Sequence, residues 1–160
     1  MPAWVAAPIG EYYLYFADHK GSYIRPAYAD DLKGPWVLHP PGSLQLADSF
    51  FLTEPPDAPQ EAVEEIKKQR LAWSGLETMQ RDILTELATP HTASPDVHVD
   101  TVEETIVLPF HSLDGLGRQV ARVATSPNGI HFTSQPDIFS RSYLRAFTND
   151  SHTYALVMPG

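Results

Sequence analysis

The segment SPDVHVD, residues 94–100, carries two aspartates and a histidine at alternate positions. Because alternate residues of a β-strand point to the same face, Asp96, His98 and Asp100 would lie side by side if this segment is a strand. Carboxylates next to an imidazole are groups that exchange protons with a substrate. The same three side chains could instead hold a divalent cation, which is the second interpretation of the segment.

Further candidate residues lie near the ends of other apolar runs. They are Trp4, Asp18, His19, His111, Tyr143 and Arg145. Several of them also have a structural interpretation. Asp18 can shape the turn that precedes Gly21 through its side-chain oxygen. The histidines can be hydrogen-bonded structural groups, and the arginine can form a salt bridge within the fold.

The apolar runs around these residues predict short antiparallel strands separated by polar turns. One plan is shared by YYLYFADHKGSYIRPAYADDLKGPW, residues 12–36, and TIVLPFHSLDGLGRQVARVATSPNGIHF, residues 105–132. Each passage has a strand, a turn with glycine, a second strand containing an arginine, a further turn and an aromatic edge. A third copy begins with SYLRAFTND, residues 142–150, and the sequence stops within it. We therefore predict a repeat of roughly 40 to 50 residues.

Residues 60–88 interrupt the strand pattern with a helical one. Apolar residues recur there at the spacing of an amphipathic helix, namely Ile66, Trp73, Leu76, Met79, Ile83 and Leu87. Gly75 predicts a kink or a division of this helix. We predict a helical insertion over about 58–89, which acts as a lid or partner-binding element, or packs as an insertion against the side of the strands.

Four short strands per repeat are typical of a β-propeller blade, and a β-sandwich is the alternative. We predict an all-β fold in which residues 1–160 form a single partial β-propeller domain with an α-helical insertion. It contains about two and a half four-stranded blades of a five-bladed propeller. Inner strands are expected around PAWVAAP (2–8), SPDVHVD (94–100) and SYLRAF (142–147).

In a propeller, the inner strands begin and the second strands end at the same mouth of the central channel. The candidate residues would therefore meet there. Carboxylates, histidines, an arginine and a tyrosine around a funnel suit glycoside hydrolysis, which needs an acid, an opposing carboxylate and donors for hydroxyl groups. Trp4 and Tyr143 could stack on the apolar face of a sugar ring.

Composition narrows the set of partners. Twenty acidic and eleven basic residues give a formal charge of −9, which repels the phosphates of nucleic acids and anionic lipids. The sequence has no cysteine, so disulfides, thiolate catalysis and cysteine zinc sites are excluded. Its start, MPAWVAAPIGEYY, lacks the basic and apolar regions of a signal peptide. We expect a cytoplasmic protein with no nucleic-acid or membrane partner. We expect no cofactor, with a calcium ion in the channel as a separate hypothesis.

Three segments, YYLYFADHKGSYIRPAYADDLKGPW, ASPDVHVD and GRQVARVATSPNGIHF, resemble blades of the five-bladed β-propeller glycoside hydrolases. The resemblance is to the broad group around family 43, which includes arabinanases and xylosidases, and covers nearly all of the chain except the helical insertion. It implies three carboxylates on inner strands: an aspartate general base, an aspartate that tunes the acid, and a glutamate general acid. SPDV is similar to the segment that carries the tuning aspartate, so the resemblance implies that role for Asp96.

The sequence departs from that family pattern at the other two inner strands. PAWVAAP has no acidic residue, and Tyr143 and Arg145 stand where the glutamate is expected. Five blades would need more than about 300 residues at this repeat length, so the chain resembles the N-terminal half of a propeller. Open blade edges invite self-association.

Two functions follow from this resemblance and from the residues. The first is a glycoside hydrolase-like protein that acts on an oligosaccharide or polysaccharide, with Asp96 and Asp18 as catalytic carboxylates. His19, His98, His111, Tyr143, Arg145 and Trp4 would then bind the carbohydrate substrate. The alternative is a non-catalytic carbohydrate-binding or structural half-propeller.

Overall fold

The structure is a computed structural model that describes residues 1–75 and 82–158. Strands account for most of its regular structure, and all of their pairings are antiparallel. In chain order the elements are β1 (Tyr12–Ala17), β2 (Tyr23–Ala29), β3 (Val37–Leu38), β4 (Leu44–Gln45), a 3-10 turn (Leu46–Asp48), α1 (Gln60–Ser74), α2 (Ile83–Ala88), β5 (His98–Asp100), β6 (Thr105–Gly115), β7 (Arg118–Ser126), β8 (Thr133–Ser134), β9 (Ser140–Arg141), β10 (Arg145–Asn149) and β11 (His152–Leu156). The prediction of a mostly antiparallel β fold is confirmed.

The strands form three sheets. In the first sheet β2 is central, with β1 along one edge and the short strands β3 and β4 along the other. In the second sheet β7 is central, with β6 on one edge and the short strands β8 and β9 on the other. The strand β5 adds to the far side of β6, and the third sheet is the hairpin β10–β11.

The first and second sheets share one pairing register. In each long hairpin, an arginine of the central strand lies opposite a phenylalanine. The first short strand pairs with the residue two positions after that arginine. The second short strand pairs one residue before it. The matching pairs are Phe16 with Arg25 and Phe110 with Arg122, Ala27 with Leu38 and Ala124 with Ser134, and Ile24 with Leu44 and Ala121 with Ser140. The repeated plan predicted from the sequence is therefore confirmed in the strand pairing.

The inner strand predicted around PAWVAAP was wrong, since residues 2–8 form only turns and bends. Pro2 and Pro8 have no N–H to donate to a neighbouring strand, and Ala7 adopts a left-handed backbone with φ 51°. In consequence β1 pairs only with β2 among the described residues, whereas β6 is paired on both sides.

A hydrophobic core joins the first sheet to the second. From the second sheet it takes one face of β6 and β7, including the fully buried Leu108 and Ala124. The remaining buried members are Val5, Ile24, Leu44, Leu46, Phe51, Ile106, Phe110, Val120 and Phe132. Because strand side chains alternate between faces, His111 of β6 points away from this core.

The insertion forms two helices in place of one. The helix α1 ends at Gly75, whose φ of 68° is the left-handed conformation that glycine adopts at helix ends. Asp82 begins α2 by accepting a hydrogen bond from the N–H of Leu84. Trp73 was predicted on the apolar face, but its side chain is 72% exposed. The residue of α1 that is buried is Val63.

Two further residues predicted on the apolar face of the insertion, Leu76 and Met79, lie outside the described residues. At the other end of the insertion, the side chain of Leu87 is fully buried. It lies against Gly117 in the turn between β6 and β7, together with Ile66 of α1. Within the described residues, no helix has the length and apolar character needed to cross a membrane.

Candidate functional site

Asp96 lies just before β5, where the second and third sheets meet. Its backbone N–H donates to the carbonyl of Pro109 in β6, at 3.0 Å, which fixes the backbone. Its carboxylate oxygen Oδ2 accepts hydrogen bonds from His98 Nε2 and from the backbone N–H of Ala146 in β10, each at 2.9 Å. The Asp96 side chain is 19% exposed, so it is held on both sides and still reaches the surface.

Arg145 directly precedes Ala146, whose N–H binds Asp96, and its side chain contacts Tyr143. The guanidinium of Arg145 stacks over the Tyr143 ring at 4.9 Å from the ring centre. Its Nη1 donates to the carbonyl oxygens of Ser94, at 3.1 Å, and Leu144, at 2.8 Å. Ser94 and Tyr143, which both contact the Arg145 side chain, have left-handed backbones with φ of 52° and 61°. A bulky residue in this conformation is strained, and such residues concentrate at functional sites.

His111 continues the row of rings from Tyr143. The centres of the His111 and Tyr143 rings are 5.9 Å apart, and that of His91 lies 6.0 Å on the other side of His111. His111 is 7% exposed, and its Nδ1 has no hydrogen-bond partner within the described chain. Burial, followed by the nearby His91 and Arg145, lowers the pKa of His111 to about 4.

His91 is a member of this site that the sequence did not indicate. Its side chain is buried, and its Nδ1–H donates to the carbonyl of Thr89 at 2.8 Å. Burial is also the largest cause of its lowered pKa. Nothing in the spacing around residue 91 pointed to a site, because the partner histidine is twenty positions away and adjoins it only through the pairing of Ala93 with His111.

The turn between β1 and β2 brings His19 to the same side of the molecule. The backbone N–H of Thr92 donates to the carbonyl of Gly21 at 2.9 Å, which places the turn next to His91. His19 and Lys20 each lie 3.9 Å from a carboxylate oxygen of Glu86. His19 and Lys20 are also among the charges that lower the pKa values of His91 and His111. The structure therefore brings together four predicted residues, His19, His111, Tyr143 and Arg145. It adds three that were not predicted, namely Lys20, Glu86 and His91.

Asp18, the second candidate carboxylate, belongs to a separate set of contacts. Its Oδ1 accepts a hydrogen bond from the backbone N–H of His19 at 3.0 Å, and its Oδ2 lies 3.9 Å from Arg25 Nη2. Its carbonyl accepts from the N–H of Gly21 at 3.0 Å, so Asp18 shapes the turn. The Asp18 side chain is 68% exposed.

Asp100 and Trp4 also have structural surroundings. Asp100 Oδ1 accepts from the backbone N–H groups of Val102 and Glu103, at 2.9 and 3.0 Å, and so caps the turn between β5 and β6. Trp4 packs against the core between the first two sheets, with its indole N–H buried and without a partner in the described chain. Within that part of the chain, the ring contacts of Tyr143 do not include Trp4.

The metal interpretation of SPDVHVD is wrong for the described residues. Residues 1–75 and 82–158 contain no group of three histidine or acidic side chains that could hold a metal ion. The physical reason is that His98 bonds to Asp96 while Asp100 bonds to the backbone of the following turn.

One cleft lies away from this row of side chains. It has a volume of about 460 Å³ and is open to solvent at the start of β1, with Val5, Glu11 and Tyr12 among its lining residues. None of the candidate residues predicted from the sequence lines it. We therefore define the site by the contacts of Asp96, His111, Tyr143 and Arg145.

A viral protein is similar to most of the chain. The uncharacterized protein R118 of Acanthamoeba polyphaga mimivirus is 29% identical over 150 residues, which cover 90% of the chain. The same alignment covers 34% of the viral protein, so the chain spans about a third of the length of that relative. No protein-family model matches the chain, and no solved structure matches it.

Proposed function

We propose that this chain is part of a carbohydrate-active β-propeller protein, similar to the five-bladed glycoside hydrolases, that hydrolyses glycosidic bonds of an oligosaccharide or polysaccharide. The observation that carries the proposal is the position of Asp96. Its carboxylate is fixed by His98 and by the backbone N–H of Ala146, and the preceding residue, Arg145, stacks its guanidinium on Tyr143.

The arrangement of the sheets supports the propeller part of this proposal. Blades of a propeller repeat one strand scheme around a channel. The first two sheets share a pairing register, and the hairpin β10–β11 is antiparallel like β5–β6, as the first two strands of a third blade would be. These features fit about two and a half blades of a five-bladed ring.

The geometry of Asp96 supports a role in orienting and tuning the reacting groups. With two donors on Oδ2, the carboxylate has a fixed direction, which suits electrostatic stabilisation of a positively charged sugar-like transition state. Asp18 is the second carboxylate of the proposal. The donors of His19, His98, His111 and Arg145 would bind sugar hydroxyl groups, and the half-exposed Tyr143 ring would stack on the sugar.

Replacing Asp96 by asparagine tests the catalytic proposal. We expect Asp96→Asn to lower turnover of aryl glycosides by roughly 100-fold or more, since it removes the charge and keeps the shape. Asp100→Asn is the matched control, because Asp100 caps a turn four residues away, and its turnover should change little. Hydrolysis would be measured with a panel of nitrophenyl glycosides, and folding by circular dichroism. Unchanged turnover in folded Asp96→Asn would refute the catalytic role.

A non-catalytic carbohydrate-binding protein is the second candidate. The observation that favours it is that the contacts of Asp18 and Asp96 belong to separate networks. In this case the same panel shows no hydrolysis at any pH, while sugar binding is present and Tyr143→Ala weakens it. Sugar binding that Tyr143→Ala leaves unchanged would contradict this candidate.

A further inference from the structure

The guanidinium of Arg145 has one edge that the protein does not use. Its Nη1 is occupied by the carbonyls of Ser94 and Leu144. Neither Nη2 nor Nε forms a hydrogen bond to any residue that the structure describes. These two nitrogens form the side of the planar fork that matches the two oxygens of a carboxylate. The bonds at Nη1 hold this edge in place, so little conformational entropy is lost when a ligand binds to it.

Several cationic groups act on His111, although the whole chain carries a formal charge of −9. On the cationic side, Arg145, His19 and Lys20 act on His111, and each lowers its pKa. On the anionic side, Glu86 lies 3.9 Å from both His19 and Lys20, and Asp96 is hydrogen-bonded to His98 and Ala146. The carboxylates that the structure places nearby therefore already have partners other than Arg145.

The neighbouring rings supply the rest of a ligand site. Tyr143 lies between Arg145 and His111 and is half exposed, so its ring is accessible for stacking. His111 is more than nine-tenths buried and has an unpartnered Nδ1.

We propose that this site binds a saccharide that carries a carboxylate, such as a uronic acid unit, with the carboxylate on Nη2 and Nε of Arg145. The sugar ring stacks on Tyr143, whose ring contacts Arg145 and the buried His111. The ligand class rests on the proposed carbohydrate function and names the chemical feature that the sugar must have.

The test compares each uronic acid with its neutral parent sugar. Glucuronic, galacturonic and mannuronic acid are titrated against glucose, galactose and mannose, with acetate as a carboxylate that has no sugar ring. Binding is followed by NMR, including the side-chain Nε–Hε signal of Arg145, in the unaltered chain and in Arg145→Gln. The matched control is Arg118→Gln, since Arg118 is exposed and pairs with Asp114.

We expect at least one uronic acid to bind about tenfold or more tightly than its neutral parent and than acetate, and to shift the Arg145 signal. Arg145→Gln should remove that preference and Arg118→Gln should keep it. The measurements on the unaltered chain decide the matter even if Arg145→Gln does not fold.

The contrary outcomes separate this inference from the proposed function. Neutral sugars that bind as tightly as uronic acids would overturn the carboxylate inference and leave the carbohydrate function standing. Acetate that binds as tightly as the uronic acids would show a simple anion site and overturn the saccharide ligand, while hydrolysis of the nitrophenyl glycosides decides the function separately. No binding of any sugar at millimolar concentration would overturn both.

Discussion

His111 is buried as a neutral imidazole next to cations, and its surroundings determine how its charge varies with pH. Its pKa falls from an ordinary 6.5 to about 4 in the folded protein, chiefly through burial. The unfolded chain therefore binds a proton at a pH where the folded chain does not. The stability from neutral His111 is fully present above pH 6.5 and is lost as the pH falls towards 4.

This linkage gives a prediction about pH. The free energy of unfolding should fall by about 3 kcal/mol or less between pH 7 and pH 4 from this group alone, as measured by urea unfolding. In His111→Gln the slope against pH should be shallower, with a remainder due to His91 and other groups. His131→Gln provides the control, since it also removes an imidazole, but from an exposed position. Equal slopes in His111→Gln and the unaltered chain would contradict the prediction.

At the residue scale, the sequence indicated part of the site. The alternation in SPDVHVD led to the contact between Asp96 and His98, because two residues at that spacing share a face. The same rule could not reveal that Asp100 turns to cap the backbone. It also could not reveal the left-handed backbone of Tyr143, which depends on tertiary contacts of Ser94 and Arg145.

At the scale of elements, the two long hairpins could be predicted because each has apolar strands around a glycine turn. The prediction of a strand at PAWVAAP was wrong, because an apolar run does not show whether its backbone can pair. Two prolines in this segment limit that pairing. Packing of the insertion against the strands was one of its two interpretations, but its contact with the turn of β6 and β7 was not predictable, because it joins segments far apart in the chain.

Gly117 tests that contact. Its φ is 65°, and a Cβ atom there would lie 2.8 Å from Cδ2 of Leu87. We expect Gly117→Ala to lower the free energy of unfolding by about 1–3 kcal/mol, measured from urea midpoints. Gly75→Ala is the matched control, since Gly75 has a similar φ of 68° and its added Cβ would have no atom within 4 Å. Similar midpoints for the two variants would show that Leu87 does not press on this turn.

At the scale of the whole molecule, β1 and β11 each have one free edge among the described residues. The residues of β11 are all exposed, including Leu156 at 65%. Exposed apolar edges promote pairing between chains, and a charged residue at the edge opposes it. Because a ring of blades would cover such edges, self-association is the behaviour expected of this chain by itself.

We expect the molar mass from light scattering to rise with concentration and Leu156→Lys to lower it towards that of a monomer. Leu32→Lys, at an equally exposed apolar residue in a turn, should behave like the unaltered chain. A mass of one chain at every concentration would contradict self-association. An equal loss of association in both variants would contradict the part played by β11.

The central strands β2 and β7 are each hydrogen-bonded along both edges, whereas the hairpin β10–β11 has only its own internal pairing within the described chain. Opening β2 or β7 requires two ladders to separate, but opening the last hairpin requires one. The consequence is a gradient of local unfolding, in which the hairpin opens far more often than the middle of the chain. Since Arg145 and the N–H that holds Asp96 both belong to this hairpin, each opening of it takes the site apart while the two larger sheets stay folded.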